Sequence, residues 1–352
     1  MNMLRLFRIK FLNGFLSCII LSSCIGQEDK TNSSLISQKT TQNATSEGLL
    51  PEDQISQVVR MMFQDSKGTI WFGTQNGAFK LTDNVLLRID NIKSESGNGV
   101  TIHDITEGKD GKMWFAHTDG LSSLDGNKVT NYYESDGLIN NDVWNVTTDS
   151  KGDIWVGTYG GVCKFDGHTF TDFDLPMGIP DTTLGVSSPE MVHDVMEDSK
   201  GNIWFCTNAG LFQYQNNTLT NFSEKFGIKT NFINGIMESK KGGYWISTKV
   251  ALYKLEGDKI HNITGQIPEI GKGIGSMAED VHGKLWFVIN QHYLYTYDGK
   301  ELVEFNKPEE KQGPVVFQIY RDQDHRLWFV GYGGAFRLEN GEFINITKNG
   351  PW

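Results

Sequence analysis

The 352-residue sequence is poor in cysteine and proline, with four and eight, and after residue 23 it has no long apolar run. So few cysteines exclude a disulfide-stapled framework. No segment beyond the leader is apolar enough to cross a membrane. There is no CxxC, no Cys/His ligand spacing, no glycine-rich phosphate loop and no serine-nucleophile motif. No metal, cofactor or catalytic residue is therefore implied. Basic residues are also short, with 32 Lys and Arg against 43 Asp and Glu and a formal net charge of −11. That balance argues against nucleic acid, whose phosphates demand basic patches, and against a polybasic membrane-binding face. The acidic residues are spread thinly, which suits solubility more than one specific partner.

What is present begins with a leader. Arg5, Arg8 and Lys10 precede "FLNGFLSCIILSS", a run too short for a stable span, so residues 1–23 read as a secretory signal peptide. Its end, Leu21-Ser22-Ser23-Cys24, resembles the bacterial lipobox. The resemblance implies cleavage before Cys24 and lipidation of its thiol; the alternative is an ordinary signal peptide with an incidental cysteine. Acyl chains would anchor the protein to a membrane through about 0.8 kcal/mol per buried CH₂. Cleavage removes three basic and no acidic side chains, so the formal charge moves from −11 to −14. Residues 24–50 are rich in Ser, Thr, Asn and Gln and read as a flexible tether. Glu28-Asp29 resembles the surface-export signal of Bacteroidota lipoproteins, the alternative being a solvated charge pair. The expected location is the cell envelope, at the outer membrane, on its periplasmic or surface face. Of the cysteines left, Cys163 and Cys206 sit in separate repeats. A disulfide between them is possible, but two small buried thiols are expected.

The remainder is repetitive. "DSKGTIWFGTQNGAFKL" from Asp65 returns as "DSKGDIWVGTYGGVCKF" from Asp149 and "DSKGNIWFCTNAGLFQY" from Asp198, with looser copies from Lys109, Ser239, Asp280 and Asp322. Trp71, Trp114, Trp155, Trp204, Trp245, Trp286 and Trp328 mark the units, at spacings of 43, 41, 49, 41, 41 and 42. A period near 42 fits four-stranded propeller blades. In the fourth unit "MVHDVMED" reads as the inner strand, Asp198–Gly201 as a hairpin turn, "NIWFCT" and "LFQYQ" as the middle strands and "TLTNFS" as the outer one. No helical period occurs anywhere. The prediction is all-β: a seven-bladed β-propeller over residues 51–352, with four antiparallel strands per blade. Because the first unit starts on an inner strand and the last ends on an outer one, no strand swap between end blades is expected. Closure rests on packing, or on an edge strand from the tether near Leu35.

The repeat lacks the Gly-His and Trp-Asp marks of WD40 units and the paired glycines of kelch. D-x-x-G-x-[IL]-W-[FV]-G-T-x-x-G-[LA]-[FY] resembles the two-component regulator propeller repeat, closest at 65–79, 149–163 and 198–212. "DGLINNDVWNVTTDSKG", 136–152, resembles that family's connecting segment. Blades five and six depart from it, with Lys249-Val250-Ala251 and Asn290-Gln291-His292 in place of the glycine turn. Propellers of this family commonly form the extracytoplasmic sensor of hybrid histidine kinases that recognise polysaccharide breakdown products. The sequence stops at Trp352 without a Tyr-rich sandwich, membrane helix, kinase or phosphoacceptor domain. The resemblance therefore implies a sensing module without its output.

The tryptophans and Asp/Gly turns recur in every unit and read as scaffold. Function is expected where the copies disagree. Eight positions before the turn glycine stand Arg60, His103, Trp144, His193, Asn234, Gly275 and Phe317; seven before it, Met61, Asp104, Asn145, Asp194, Gly235, Ser276 and Gln318. This polar, aromatic and irregular rim suits sugars; the plainer reading is strand ends hydrated near the axis. Arg60, His103, Asp104, Trp144, Asn145, His193, Asp194 and Asn234 are the funnel candidates. The second-to-third-strand turns add His117, Tyr159, Asn208 and Tyr332, with Lys249, Asn290 and His292 beside them. The long connection Asp174–Glu190 is a candidate specificity loop. His103-Asp104 and His193-Asp194 are not expected to act as dyads, because adjacent strand residues face opposite sides. The expected function is a lipid-anchored module binding a glycan fragment or an envelope protein partner. The alternatives are a propeller lyase or glycoside hydrolase, and a pure protein scaffold.

Overall fold

The computed structural model describes residues 49–179, 188–265, 273–305, 315–348 and 350. The chain divides into units 1–43 and 44–352, and the second holds the described residues. The signal peptide, Cys24 and the tether near Leu35 lie outside them.

Seven antiparallel sheets follow one another along the chain, and each lays its strands in sequence order from inner to outer. In blade four these are Val192–Glu197, Ile203–Thr207, Gly210–Gln215 and Thr218–Asn221. The second strands are buried along almost their whole length, since neighbouring blades cover both faces. Turn chemistry sets the hairpins: Gly201 takes φ +79°, and in blade six, whose second turn lacks the glycine found in blades one to four and seven, Asn290 and Gln291 adopt +51° and +63°. One outer strand is shorter than its sequence suggests. Strand four of blade four stops at Asn221, whose side chain caps the short helix Phe222–Phe226 by accepting from Glu224 N at 3.0 Å.

The repeated tryptophan does two things. Its ring packs against the phenylalanine that follows the tryptophan of the next blade, as in Trp71–Phe115, Trp155–Phe205, Trp286–Phe329 and, across the closure, Trp328–Phe72. Its indole N–H donates to the turn aspartate six residues back: Trp71 to Asp65, Trp155 to Asp149, Trp204 to Asp198, Trp328 to Asp322. The other carboxylate oxygen of Asp65, Asp149 and Asp198 accepts two backbone N–H groups of the same turn, and that of Asp322 accepts one, so a buried charge is held by several donors. Blade five has Ser239 in the aspartate's place, and Trp245 turns to Glu279 of blade six instead. On this face glutamates at the inner-strand ends clasp the preceding blade's turn: Glu107 on Ser66, Glu197 on Ser150, Glu238 on Ser199. Cys163 and Cys206 are free and buried, and burial pushes the Cys163 thiol up to about 11.

No strand is swapped between the end blades, yet the closure is more than packing. Leu49–Glu52 pairs antiparallel with the outer strand of blade one, Val85–Ile89, giving that blade a fifth strand. The edge strand thus lies at the propeller's own margin. Residues 54–58 then run along blade seven. Gln54 bridges Lys348, Ile55 N donates to Thr347 O at 2.8 Å, Val58 bridges Tyr332, and Gly333 N donates to Gln57 O at 2.9 Å. Ile55 is fully buried in a cluster that joins Phe72 and Leu86 of blade one to Trp328, Val330 and Ala335 of blade seven.

Candidate functional site

Every inner strand breaks register with its neighbour at one place: between Val59 and Met61, Ile102 and Asp104, Val143 and Asn145, Val192 and Asp194, Ile233 and Gly235, Ile274 and Met277, Val316 and Gln318. The skipped residues are Arg60, His103, Trp144, His193, Asn234, Gly275 with Ser276, and Phe317. The variable column is therefore a ring of β-bulges. A bulge breaks the in–out alternation of a strand and re-aims the side chains beside it. His103 and Asp104, and His193 and Asp194, all line the same cavity at these bulges, and no hydrogen bond joins His to Asp within either pair among the described residues.

That cavity has a volume of about 1310 Å³ and runs along the inner strands. Small-molecule pockets usually occupy roughly 300–1,000 Å³, so it has room for an extended ligand. All eight funnel candidates line it, together with Lys249, Asn290 and Phe317. At blades five and six the lining includes Gly235, Gly273, Gly275 and Ser276, which put little or no side chain into the cavity.

The two columns divide the work. The later one staples blades together through backbone N–H groups. Asp104 accepts from Val146 N at 3.0 Å, Asn145 from Val195 N at 3.0 Å, Asp194 from Ile236 N at 3.2 Å, Ser276 from Ile319 N at 2.9 Å, and Gln318 from Met62 N at 2.7 Å. Asn145 also donates to both carboxylates, at 2.7 Å to Asp104 and 3.3 Å to Asp194. Burial pushes Asp104 up to about 7, with the nearby Asp194 adding to the rise, and pushes Asp194 up to about 6.

The bulge column faces the cavity with rings and charge. His103 stacks on Trp144 with centroids 4.5 Å apart, and its Nδ1–H donates to Val143 O at 2.9 Å, leaving Nε2 as an acceptor. Burial lowers its basicity, so the ring is neutral at pH 7. His193 stacks on Phe232 at 4.5 Å and bonds Asn208 Oδ1 through Nε2; burial lowers it to about 4. The Arg60 guanidinium lies 4.6 Å over Phe317, which in turn packs on Tyr332 at 5.0 Å. Asn234 donates to Ile274 O at 2.6 Å.

The turn candidates do not join this ring. His117 is 0 % exposed, bonded to Ser122 at 2.9 Å, and burial drives it down to about 3. Asn208 is 1 % exposed: its amide donates to Ser188 O at 2.5 Å while its carbonyl meets His193. It positions His193 instead of meeting a ligand directly. Tyr159 and Tyr332 lie outside the cavity lining, although Tyr332 is 52 % exposed beside Phe317. Part of the long connection, 180–187, lies outside the described residues. Sequence reasoning missed the far end of the cavity, where Glu238, Lys240, Glu279 and Arg321 line it. Their repeated Ser–Glu spacing was the available signal. Neither His–Asp pair is bonded internally, and among the described residues no three His, Cys, Asp or Glu groups converge as metal ligands.

No curated protein matches the sequence. A family model described as "Two component regulator propeller" matches residues 53–76, 137–160 and 187–209, in blades one, three and four. Among solved structures, the extracellular domain of a proposed hybrid two component system from B. thetaiotaomicron is 18% identical with a TM-score of 0.63, covering 81% of this chain and 39% of its own. The chain thus spans about two fifths of that domain's length. Virginiamycin B lyase from Staphylococcus aureus is 14% identical with a TM-score of 0.63, covering 82% of this chain and 97% of its own. The GH74 enzyme of Niastella koreensis is 12% identical with a TM-score of 0.62, covering 82% of this chain and 54% of its own. At such identities these likenesses show the fold alone, whereas the repeats themselves match in sequence. The chain is a seven-bladed propeller, three of whose blades match the two-component regulator propeller repeat.

Proposed function

We propose that this protein is an extracytoplasmic, lipid-anchored sensing or binding module that takes a glycan fragment at the bulge ring of its central channel. The observation that carries the reading is the ring itself. Seven bulges vary in residue type over one cavity, with only histidine used in two of them, while the positions that build the blades repeat. The His103–Trp144 stack and Phe317 offer flat apolar faces to a sugar ring, and Asn234 and the histidine nitrogens offer hydrogen bonds to hydroxyls. The repeat family and its sensor-domain relatives favour sensing over catalysis. An enzyme reading draws on the lyase and hydrolase neighbours and on Asp104 and Asp194. Both carboxylates, however, accept backbone N–H groups from the next blade, which suits staples better than an acid–base pair. Thermal melting against a panel of neutral and acidic oligosaccharides tests the proposal. At least one should raise the melting temperature; if none does and a protein partner co-purifies instead, the glycan reading is wrong.

The anchor rests on Cys24 at the lipobox-like end of the leader. Replacing it (Cys24→Ser) should move the protein from the membrane fraction to the soluble envelope fraction on cell fractionation. Continued sedimentation with membranes would show that something else holds it there.

A further inference from the structure

Two cations line the cavity near the bulge ring, Arg60 in blade one and Lys249 in blade five, while Lys240 and Arg321 line its far end together with Glu238 and Glu279. Neither Arg60 nor Lys249 forms an ion pair among the described residues, where every salt bridge involves other side chains. Each lies over an aromatic face, Arg60 at 4.6 Å from Phe317 and Lys249 at 4.9 Å from Phe232. Stacking supports the flat guanidinium but does not neutralise it. Burial disfavours the Arg60 charge, and so the cation is held at a cost.

The nearest acidic groups of the ring do not serve as counterions. Asp104 and Asp194 are turned onto Val146 N and Ile236 N. Burial raises the pKa of both, Asp104 the more, and both side chains are spent on these backbone N–H groups. The two histidines are neutral, as above. Arg60 and Lys249 therefore reach the cavity without an ion-pair partner among the described residues, in a chain of formal charge −11. A guanidinium held flat against a ring keeps its edge N–H groups free to pair with a planar anion in two-point fashion.

We infer that the ligand is an anionic sugar whose carboxylate or sulfate group docks on the Arg60 guanidinium, with Lys249 supplying charge from blade five. The inference rests on the glycan reading above and adds the charge of the sugar. A ring carrying the anion would stack beside Phe317, and the rest of the chain would extend along the wall of Gly235, Gly275 and Ser276.

The test titrates the intact protein calorimetrically with trigalacturonate, with its methyl ester, with a sulfated disaccharide and with a neutral trisaccharide. The acidic probe should bind at least about tenfold more tightly than its ester, the scale of one charge-assisted hydrogen bond. Arg60→Met should erase that difference while melting like the parent, and Arg60→Lys should restore part of it. Preference for the sulfated probe alone, lost in Arg60→Met, would identify the anion as a sulfate. Equal binding of charged and neutral sugars, unaffected by Arg60→Met, would overturn the inference and leave the glycan reading standing. Binding of none of the four would overturn both.

Discussion

Between pH 5 and pH 8 the protein should lose about 2–4 kcal/mol of stability that an Asp104→Asn variant does not lose. The unfolded carboxyl titrates near 3.9, whereas burial in the fold pushes Asp104 up to about 7. The folded state therefore holds a proton that the unfolded state has released. Stability from this group is full below about pH 4 and is lost as pH rises through about 7. Each unit of difference is about 1.4 kcal/mol, so a three-unit rise gives at most about 4 kcal/mol. Asp194, pushed up to about 6, adds a smaller loss of the same sign. An asparagine at 104 keeps an acceptor for Val146 N and Asn145 but gives up the bond from Ile105 N at 2.9 Å. The variant should thus start about 1 kcal/mol lower in acid and draw level or better above neutrality. Urea unfolding at several pH values measures the two curves; parallel curves would mean that Asp104 is not held protonated in the fold.

Ile55→Asp should leave little folded protein at 37 °C. Truncating a buried isoleucine costs about 2–5 kcal/mol, and an unpaired buried carboxylate costs several more. Total stability of a domain is about 5–15 kcal/mol, so the deficit is comparable with all of it. The site is the seam: Ile55 is fully buried between blades one and seven, and its own N–H bonds Thr347 O. Ile55→Val, which keeps the contact, should cost only about 1 kcal/mol. Circular dichroism and melting of the two variants check this. If Ile55→Asp melted within a few degrees of the parent, residues 54–58 would not be what closes the ring.

The blades were legible because the same tryptophan, glycine and aspartate recur at a constant period. The indole-to-aspartate bond explains why Asp and Trp travel together six residues apart. The seam was not legible: 49–52 precedes the first repeat and pairs only once blade one exists, and nothing in 53–58, the start of the first repeat match, shows that it runs along blade seven. Half of the site was visible as disagreement between copies, in Arg60, His103, Trp144 and their column. Its cause was hidden, because a bulge leaves no residue signature when the bulged position is the variable one. Asn208 misled for a different reason. It sits in an exposed-looking turn, but Gly178 and Ser188, from the insertion between blades three and four, lie against it and it is buried.

The channel mouth as binding site is tested most directly through Trp144, which is partly exposed, lines the cavity and stacks on His103 without joining the blade cores. An oligosaccharide that raises the melting temperature of the parent should fail to do so for Trp144→Ala, whose own melting temperature stays within a few degrees of the parent. A full ligand-induced rise retained in Trp144→Ala would place the ligand elsewhere and contradict the assignment of the bulge ring as the site.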